Sequence, residues 1–137
     1  MVPKFLDAAF VIALETTDDQ NHQAAFEYWQ EFLQSIPPLV TTSFVLDEIA
    51  TFFNSRNRHN KAVEVVENFL GSKTIDLVHV DDTLFHLGWE YFRKHADKRY
   101  SLTDCISFVV MTNRQINDAL TFDKHFVQAG FKKIPRG

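Results

Sequence analysis

Residues 4–10, KFLDAAF, place a single acid, Asp7, between two apolar runs. A carboxylate flanked by Phe5, Leu6, Ala8, Ala9 and Phe10 has no helix-capping series to serve, and burying it without a partner is costly. The run therefore reads as a short first strand, residues 4–7, that ends on its acid. Three more acids share this kind of setting: Glu48 in FVLDEIATFF, Asp104 in SLTDCISFVV and Asp123 in ALTFDKHF. No buried-looking lysine or arginine lies beside any of them in sequence. A divalent cation shared by all four resolves the charge problem and points to phosphodiester chemistry. Oxygen ligation without cysteine or paired histidine favours Mg²⁺ or Mn²⁺ over zinc.

Working outward, periodicity predicts a helix over residues 22–35, with Ala25, Phe26, Trp29, Phe32 and Leu33 on its apolar face, closed by Pro37-Pro38. A second strand spans 39–42. Ser43 is the expected N-cap of a helix through 55, striped by Val45, Ile49, Phe52 and Phe53. After a polar turn at 56–60 comes a helix with Ala62, Val63, Val66, Phe69 and Leu70, ending at Gly71, then a strand at 75–80. The segment 81–95 reads as a helix with Leu84, Phe85, Gly88, Trp89 and Phe92 inward, and 96–100 as a loop. The most apolar helix covers 103–114, followed by a strand at 119–121, a helical turn at 126–129 and a terminal strand at 132–134. Strands alternating with helices predict an α/β fold, a three-layer α/β/α sandwich around a parallel sheet of four to five strands.

On that scheme Asp7 and Asp123 lie past the carboxyl ends of the first and fourth strands, and Glu48 and Asp104 lie in early helical turns. Strand ends and the starts of the following helices share one edge of a parallel sheet, so the four acids are expected to converge there, where such sheets bind ligands. Each also has an ordinary reading. Asp104 completes the capping box Ser101-Leu-Thr-Asp, Asp123 could cap the turn 124–129, and either Asp47 or Glu48 could be only a solvated helix residue. The stripe of Val45, Ile49 and Phe52 sets Glu48 nearer the buried face than Asp47.

The 137 residues and 45% hydrophobic content fit one domain, residues 1–137. Fourteen Phe and two Trp exceed what one small core needs, leaving an apolar face for a partner or a second copy in a homodimer. A formal charge of −4 argues against a general basic surface for nucleic acid, yet a centre of four acids accounts for much of it. The lone Cys105, among Ile106, Phe108 and Val109, reads as a core residue, consistent with a reducing cytoplasm. No stretch reaches the ~20 apolar residues of a membrane span, and Asp7 interrupts the N-terminal run where a signal peptide is apolar.

In this order the segments FLDAAFVIAL, TTSFVLDEIATFF, SLTDCISFVVM and ALTFDKHFVQAGF resemble those of the PIN domain family, from residue 4 to about residue 134. The resemblance implies a Mg²⁺- or Mn²⁺-dependent nuclease cutting single-stranded or structured RNA. Small stand-alone members are commonly VapC-type toxins held by an antitoxin protein. It makes Asp7, Glu48, Asp104 and Asp123 the expected metal ligands and Thr121 the residue that orients them. Many members carry Ser or Thr after the first acid, where this chain has Ala8 and Ala9, so one supporting hydroxyl is missing. The mechanism implied is metal-assisted in-line hydrolysis with no covalent nucleophile. RNA contacts are expected from Arg56, Arg58 and Lys61 or from Lys98 and Arg99, whose loops flank the motif helices. An antitoxin is expected to lay an apolar helix near Trp29, Phe52 and Phe53 and a basic side chain among the acids.

Three other readings compete. Among the histidines, His22, His59, His79, His86, His95 and His125, the last is nearest the acids, which would suit a metal-free ribonuclease. A catalytically silent PIN-like module would bind RNA or a protein without cutting, but such domains are marked by lost acids and all four are present. A phosphoacceptor receiver domain shares the α/β layout but wants an adjacent acidic pair after its first strand, where this chain offers only Asp7.

Overall fold

Five short parallel strands form the centre of the molecule: β1 (Lys4–Leu6), β2 (Leu39–Thr42), β3 (Ile75–Val78), β4 (Asp118–Leu120) and β5 (Lys132–Ile134). The computed structural model describes residues 2–136. The spatial order is β3-β2-β1-β4-β5. Lys4 of β1 pairs with Leu39 on one side, while Phe5 and Leu6 pair with Ala119 and Leu120 on the other. The chain thus builds from β1 outward to β3, then returns to add β4 and β5 on the opposite side. Strands covered on both faces must be apolar throughout, and Phe5, Leu6, Leu39, Val40, Ala119 and Leu120 are all buried. The layered α/β architecture expected from the alternation is present, with the terminal strand as its fifth.

Among the described residues seven helices flank this sheet: α1 (Ala8–Glu15), α2 (His22–Phe32), α3 (Ser43–Asn54), α4 (His59–Leu70), α5 (Asp82–Lys94), α6 (Leu102–Asn113) and α7 (His125–Gln128). Helix α1 has no counterpart in the periodicity. Its sequence AAFVIALE is apolar on nearly every side because α1 packs against both α2 and α3, burying Ala8, Phe10, Val11 and Ala13. Helix α2 ends three residues before the expected 35, and of its predicted face Ala25 and Phe32 are buried, Trp29 is half-buried, and Phe26 and Leu33 are exposed. The N-cap of α3 is Thr42, whose side chain accepts the N–H of Val45 at 3.2 Å, and not Ser43. Ser43 Oγ instead accepts the N–H of Val80 at 2.9 Å, tying the exit of β3 to the start of α3. Helix α4 begins at His59, inside the expected turn, and buries Ala62 and Val65 while Val63 and Leu70 face outward.

The largest departure concerns α5. Of the side chains predicted to face inward, only Gly88 is buried; Phe85, Trp89 and Phe92 are 36%, 43% and 37% exposed. The reason is the closeness of α6, whose Ile106 fills the space over Gly88. The face of α5 turned to the core is the row Leu84, Gly88 and Tyr91, and larger side chains lie along its rim, Trp89 stacked on Phe92 with centroids 5.5 Å apart and Phe85 against Phe44 at 6.3 Å. The core proper is built on Phe5, Phe10, Phe53, Phe108 and Phe126, all fully buried. No helix among the described residues is long and apolar enough to cross a membrane.

A methyl group at position 88 would collide with the Ile106 side chain and crowd its backbone. Gly88→Ala is expected to destabilise the protein by about 1–3 kcal/mol, the usual range for overpacking, read as a lower urea midpoint with an unchanged slope.

Candidate metal centre

The direction of sheet building reverses between β1 and β4, and open parallel sheets leave a ligand crevice at the carboxyl ends of the strands flanking such a reversal. Asp7 follows β1 directly; Thr121, Phe122 and Asp123 follow β4. Extending the pairing of Leu6 with Leu120 by one residue sets Asp7 across from Thr121. The Thr121 hydroxyl donates to Asp7 Oδ2 at 2.7 Å and accepts the N–H of Asp123 at 2.9 Å. From the other neighbouring strand, the buried Thr41 hydroxyl donates to the Leu6 carbonyl at 2.8 Å and fixes the end of β1. Asp7 stands at the N-cap position of α1, yet its side chain caps nothing.

Asp104 enters from the first turn of α6. It does complete the capping box: Ser101 Oγ accepts the Asp104 N–H at 2.9 Å, and Asp104 Oδ2 accepts the Ser101 N–H at 3.2 Å. The same Oδ2 lies 3.1 Å from His125 Nδ1, and Asp123 Oδ1 lies 3.3 Å from that nitrogen. Asp123 Oδ1 also accepts the N–H of His125 at 2.9 Å, a local turn bond. For both acids the local structural role and membership of the cluster coexist, because each carboxylate has oxygen lone pairs for both. Asp104, Asp123 and His125 each offer a ligand atom, all within 4.8 Å of one another.

Asp7 and Glu48 stand outside that tight group and are joined to it by charge. Burial pushes the Asp7 carboxyl up to about 7; the Thr121 hydroxyl opposes this, and the negative charges of Asp104, Glu48 and Asp123 reinforce it. Asp104 is raised by burial and by Asp123, against the opposing effects of the Ser101 N–H and His125. Glu48, in the second turn of α3 and more open to solvent, is raised by partial burial and by Asp104, Asp123 and Asp47. With Asp47, Thr51, Phe52, Ser101 and Thr103, Glu48 lines an open groove of about 400 Å³. The lysine and arginine ion pairs seen among the described residues are made with Glu15, Glu64, Asp76, Glu90, Asp97 and Asp118, none of them one of these four acids. Asp7, Asp104 and Glu48 raised by burial and by neighbouring acids, a donor set mostly of oxygens, and His125 as the basic side chain in contact with the cluster among the described residues suit a divalent cation.

The expected RNA-contacting cations are placed unequally. Arg56 stacks over Phe52 at 3.8 Å and so borders the groove, and Arg58 lies 5.3 Å from the Phe53 ring centre. Lys61 is engaged by Glu15 at 2.7 Å and Glu64 at 3.1 Å. Lys98 lies 3.8 Å from Asp97, and Arg99 takes a left-handed backbone with φ 61°. Phe53 is fully buried and offers nothing to a partner helix, whereas Phe52 and Trp29 are half-buried.

His125, which the sequence shows only as lying two residues after Asp123, is brought by the fold against Asp104 as well. Tyr100 lies in the loop before α6, as expected, but is only 5% exposed, its ring in a T-shaped contact with His125 at 5.4 Å. Of the other histidines, His59, His86 and His95 each hold a local bond through Nδ1, His22 bonds the Ala13 carbonyl of α1, and His79 lies exposed just past β3. Cys105 is fully buried, and burial pushes its thiol up to about 12, far from a nucleophile.

The PIN domain model matches residues 4–132. The chain belongs to the PIN domain family. Among PIN relatives it is similar to the 23S rRNA-specific endonuclease VapC20 of Mycobacterium tuberculosis, 36% identical over 131 residues that cover 95% of this chain and 96% of the relative. The crystal structure of Mycobacterium tuberculosis VapC20, described as a Sarcin-Ricin loop cleaving toxin, superposes with a TM-score of 0.84 at 32% identity over 93% of this chain and 95% of that one. FitAcB from Neisseria gonorrhoeae superposes with a TM-score of 0.61 at 13% identity over 97% and 96%, a likeness of fold alone.

The raised acid carries a stability consequence. A carboxyl whose folded pKa exceeds its unfolded value stabilises the fold below the unfolded value, and that contribution is lost as pH rises through the folded one. For Asp7 the window runs from 3.8 to about 7, worth roughly 4 kcal/mol by the linkage relation. Metal-free protein is therefore expected to lose urea stability from pH 5 to pH 8, and Asp7→Asn to flatten that slope and raise the pH 8 midpoint.

Proposed function

We propose that this PIN domain protein is a divalent-metal-dependent endoribonuclease that hydrolyses RNA phosphodiester bonds and acts as the toxin of a toxin–antitoxin pair. The observation that carries the reading is the grouping of Asp7, Glu48, Asp104 and Asp123 at the reversal point of the sheet, Asp7 and Asp104 buried, Asp123 half-buried and Glu48 open to solvent, without a lysine or arginine counter-charge among the described residues. In this reading these four hold Mg²⁺ or Mn²⁺, and Thr121 orients the centre by bonding Asp7 and the backbone of Asp123 at once. A bound divalent cation there supplies charge neutralisation and Lewis acidity for attack on phosphorus. The chain's own part is to hold the carboxylates in fixed positions and to seat the RNA. Asp7 and Thr121 are locked by the β1–β4 pairing, and Asp104 by its capping box. The groove beside Glu48 receives the phosphate backbone, with Arg56 at its border and Arg58, Lys98 and Arg99 on nearby loops as further contacts.

A relative named for 23S rRNA that is 36% identical over almost the whole chain supports structured ribosomal RNA as the substrate class. A relative described as a toxin supports an antitoxin partner. The exposed Phe85, Trp89 and Phe92 and the half-buried Phe52 provide apolar surface for that partner.

Purified protein is expected to cleave ribosomal RNA with Mg²⁺ or Mn²⁺ and to stop in EDTA. Asp7→Asn is expected to lower the rate roughly 100-fold or more, and Arg56→Ala to raise KM about threefold with kcat little changed. Cleavage indifferent to EDTA would replace this reading with metal-free chemistry, and RNA binding without cleavage would replace it with a silent module.

A further inference from the structure

His125 sits where neither capping nor core packing calls for a histidine. Its Nδ1 is 3.1 Å from Asp104 Oδ2 and 3.3 Å from Asp123 Oδ1, so one nitrogen faces two carboxylate oxygens. A neutral imidazole donates a single proton through that atom and so bonds only one of them, while both oxygens already accept a backbone N–H, from Ser101 and from His125 itself. Two ligands set at right angles on one cation at roughly 2.1–2.2 Å are about 3 Å apart, close to both separations seen here. The residue is also positioned by its surroundings. Its backbone N–H is bonded to Asp123 Oδ1 at 2.9 Å, and its ring meets that of the buried Tyr100 in a T-shaped contact at 5.4 Å. A side chain held this firmly, with its nitrogen at ligand spacing from two acids, is preorganised to bind metal.

We infer that His125 Nδ1 is a direct metal ligand beside Asp104 and Asp123, and that this nitrogen makes the centre selective for Mn²⁺ over Mg²⁺. The inference rests on the proposed reading of the acids as a metal centre. Mg²⁺ takes oxygen donors and gives up its waters reluctantly, whereas imidazole nitrogen suits first-row transition ions. A centre of four carboxylates alone has little reason to discriminate between the two. With the imidazole in the shell, the transition ion gains a bond that Mg²⁺ does not use. Asp7 and Glu48, outside the tight group, remain oxygen ligands that serve either ion.

The test is pulsed EPR of the Mn²⁺-loaded full chain together with calorimetric titrations of Mn²⁺ and Mg²⁺, on the unaltered protein, His125→Ala and His125→Gln. Thermal unfolding of the metal-free forms establishes that the variants are folded, and the glutamine variant keeps most of the side-chain volume. The expected result is histidine nitrogen modulation in the unaltered protein that disappears in the variants, with Mn²⁺ affinity falling about 10–100-fold and Mg²⁺ affinity nearly unchanged. Mn²⁺ binding without nitrogen modulation, or modulation that persists in both variants, would overturn the ligand role and leave the four-acid centre standing. An equal fall in both affinities would overturn the selectivity. Failure of the unaltered protein to bind Mn²⁺ at all would overturn this inference and the metal-centre reading together.

Discussion

The hydroxyl of Thr121 is fully buried between two acids: it donates to Asp7 and accepts the backbone N–H of Asp123. This one group joins the ends of β1 and β4 across the reversal of the sheet and sets the two acids on a common edge. Its position follows from the strand register, which in turn follows from the apolar residues that both faces of a covered parallel sheet demand. A one-residue slip of β4 against β1 would turn the hydroxyl to the other face and break both bonds. The chemistry of the site is therefore tied to strand pairing before any helix contributes to it.

The helices add acids whose local duties the fold already requires. Asp104 caps α6 and Asp123 closes a turn, so their positions are enforced by backbone hydrogen bonds and not only by the cation they are proposed to hold. Asp7 is different: it caps nothing and lies 4% exposed, with a carboxyl driven up to about 7. The acid whose carboxyl is pushed up to about 7 is the one at the centre of the sheet. Such a placement is characteristic of a site where stability has been given up for charge density.

Much of this arrangement was legible in the sequence, for identifiable reasons. The strands and the placement of the four acids were legible because apolar runs with an isolated acid are rare and parallel sheets gather strand ends on one edge, whereas Thr121 was pointed to only by the resemblance to the PIN domain family. Helix α1 was not legible, since a segment buried on several sides has no polar face to reveal its period. The inward reading of Phe85, Trp89 and Phe92 failed because the sequence does not show how closely α5 approaches α6 at Gly88; a glycine within an apolar stripe was the one available hint. The role inferred for His125 depends on distances between residues 104, 123 and 125, of which 104 and 125 belong to different elements, and spacing alone could not supply them.

The rim of α5 has an optical consequence. The chain's two tryptophans occupy contrasting settings: Trp29 is half-buried against Phe10 and Phe32, while Trp89 is 43% exposed on the outer aromatic stripe. Their emission should therefore separate into a component shielded from solvent and one reached by aqueous quenchers such as iodide. Docking of a protein on the α5 stripe would shift the second toward the blue and protect it from quenching, leaving the first as an internal reference.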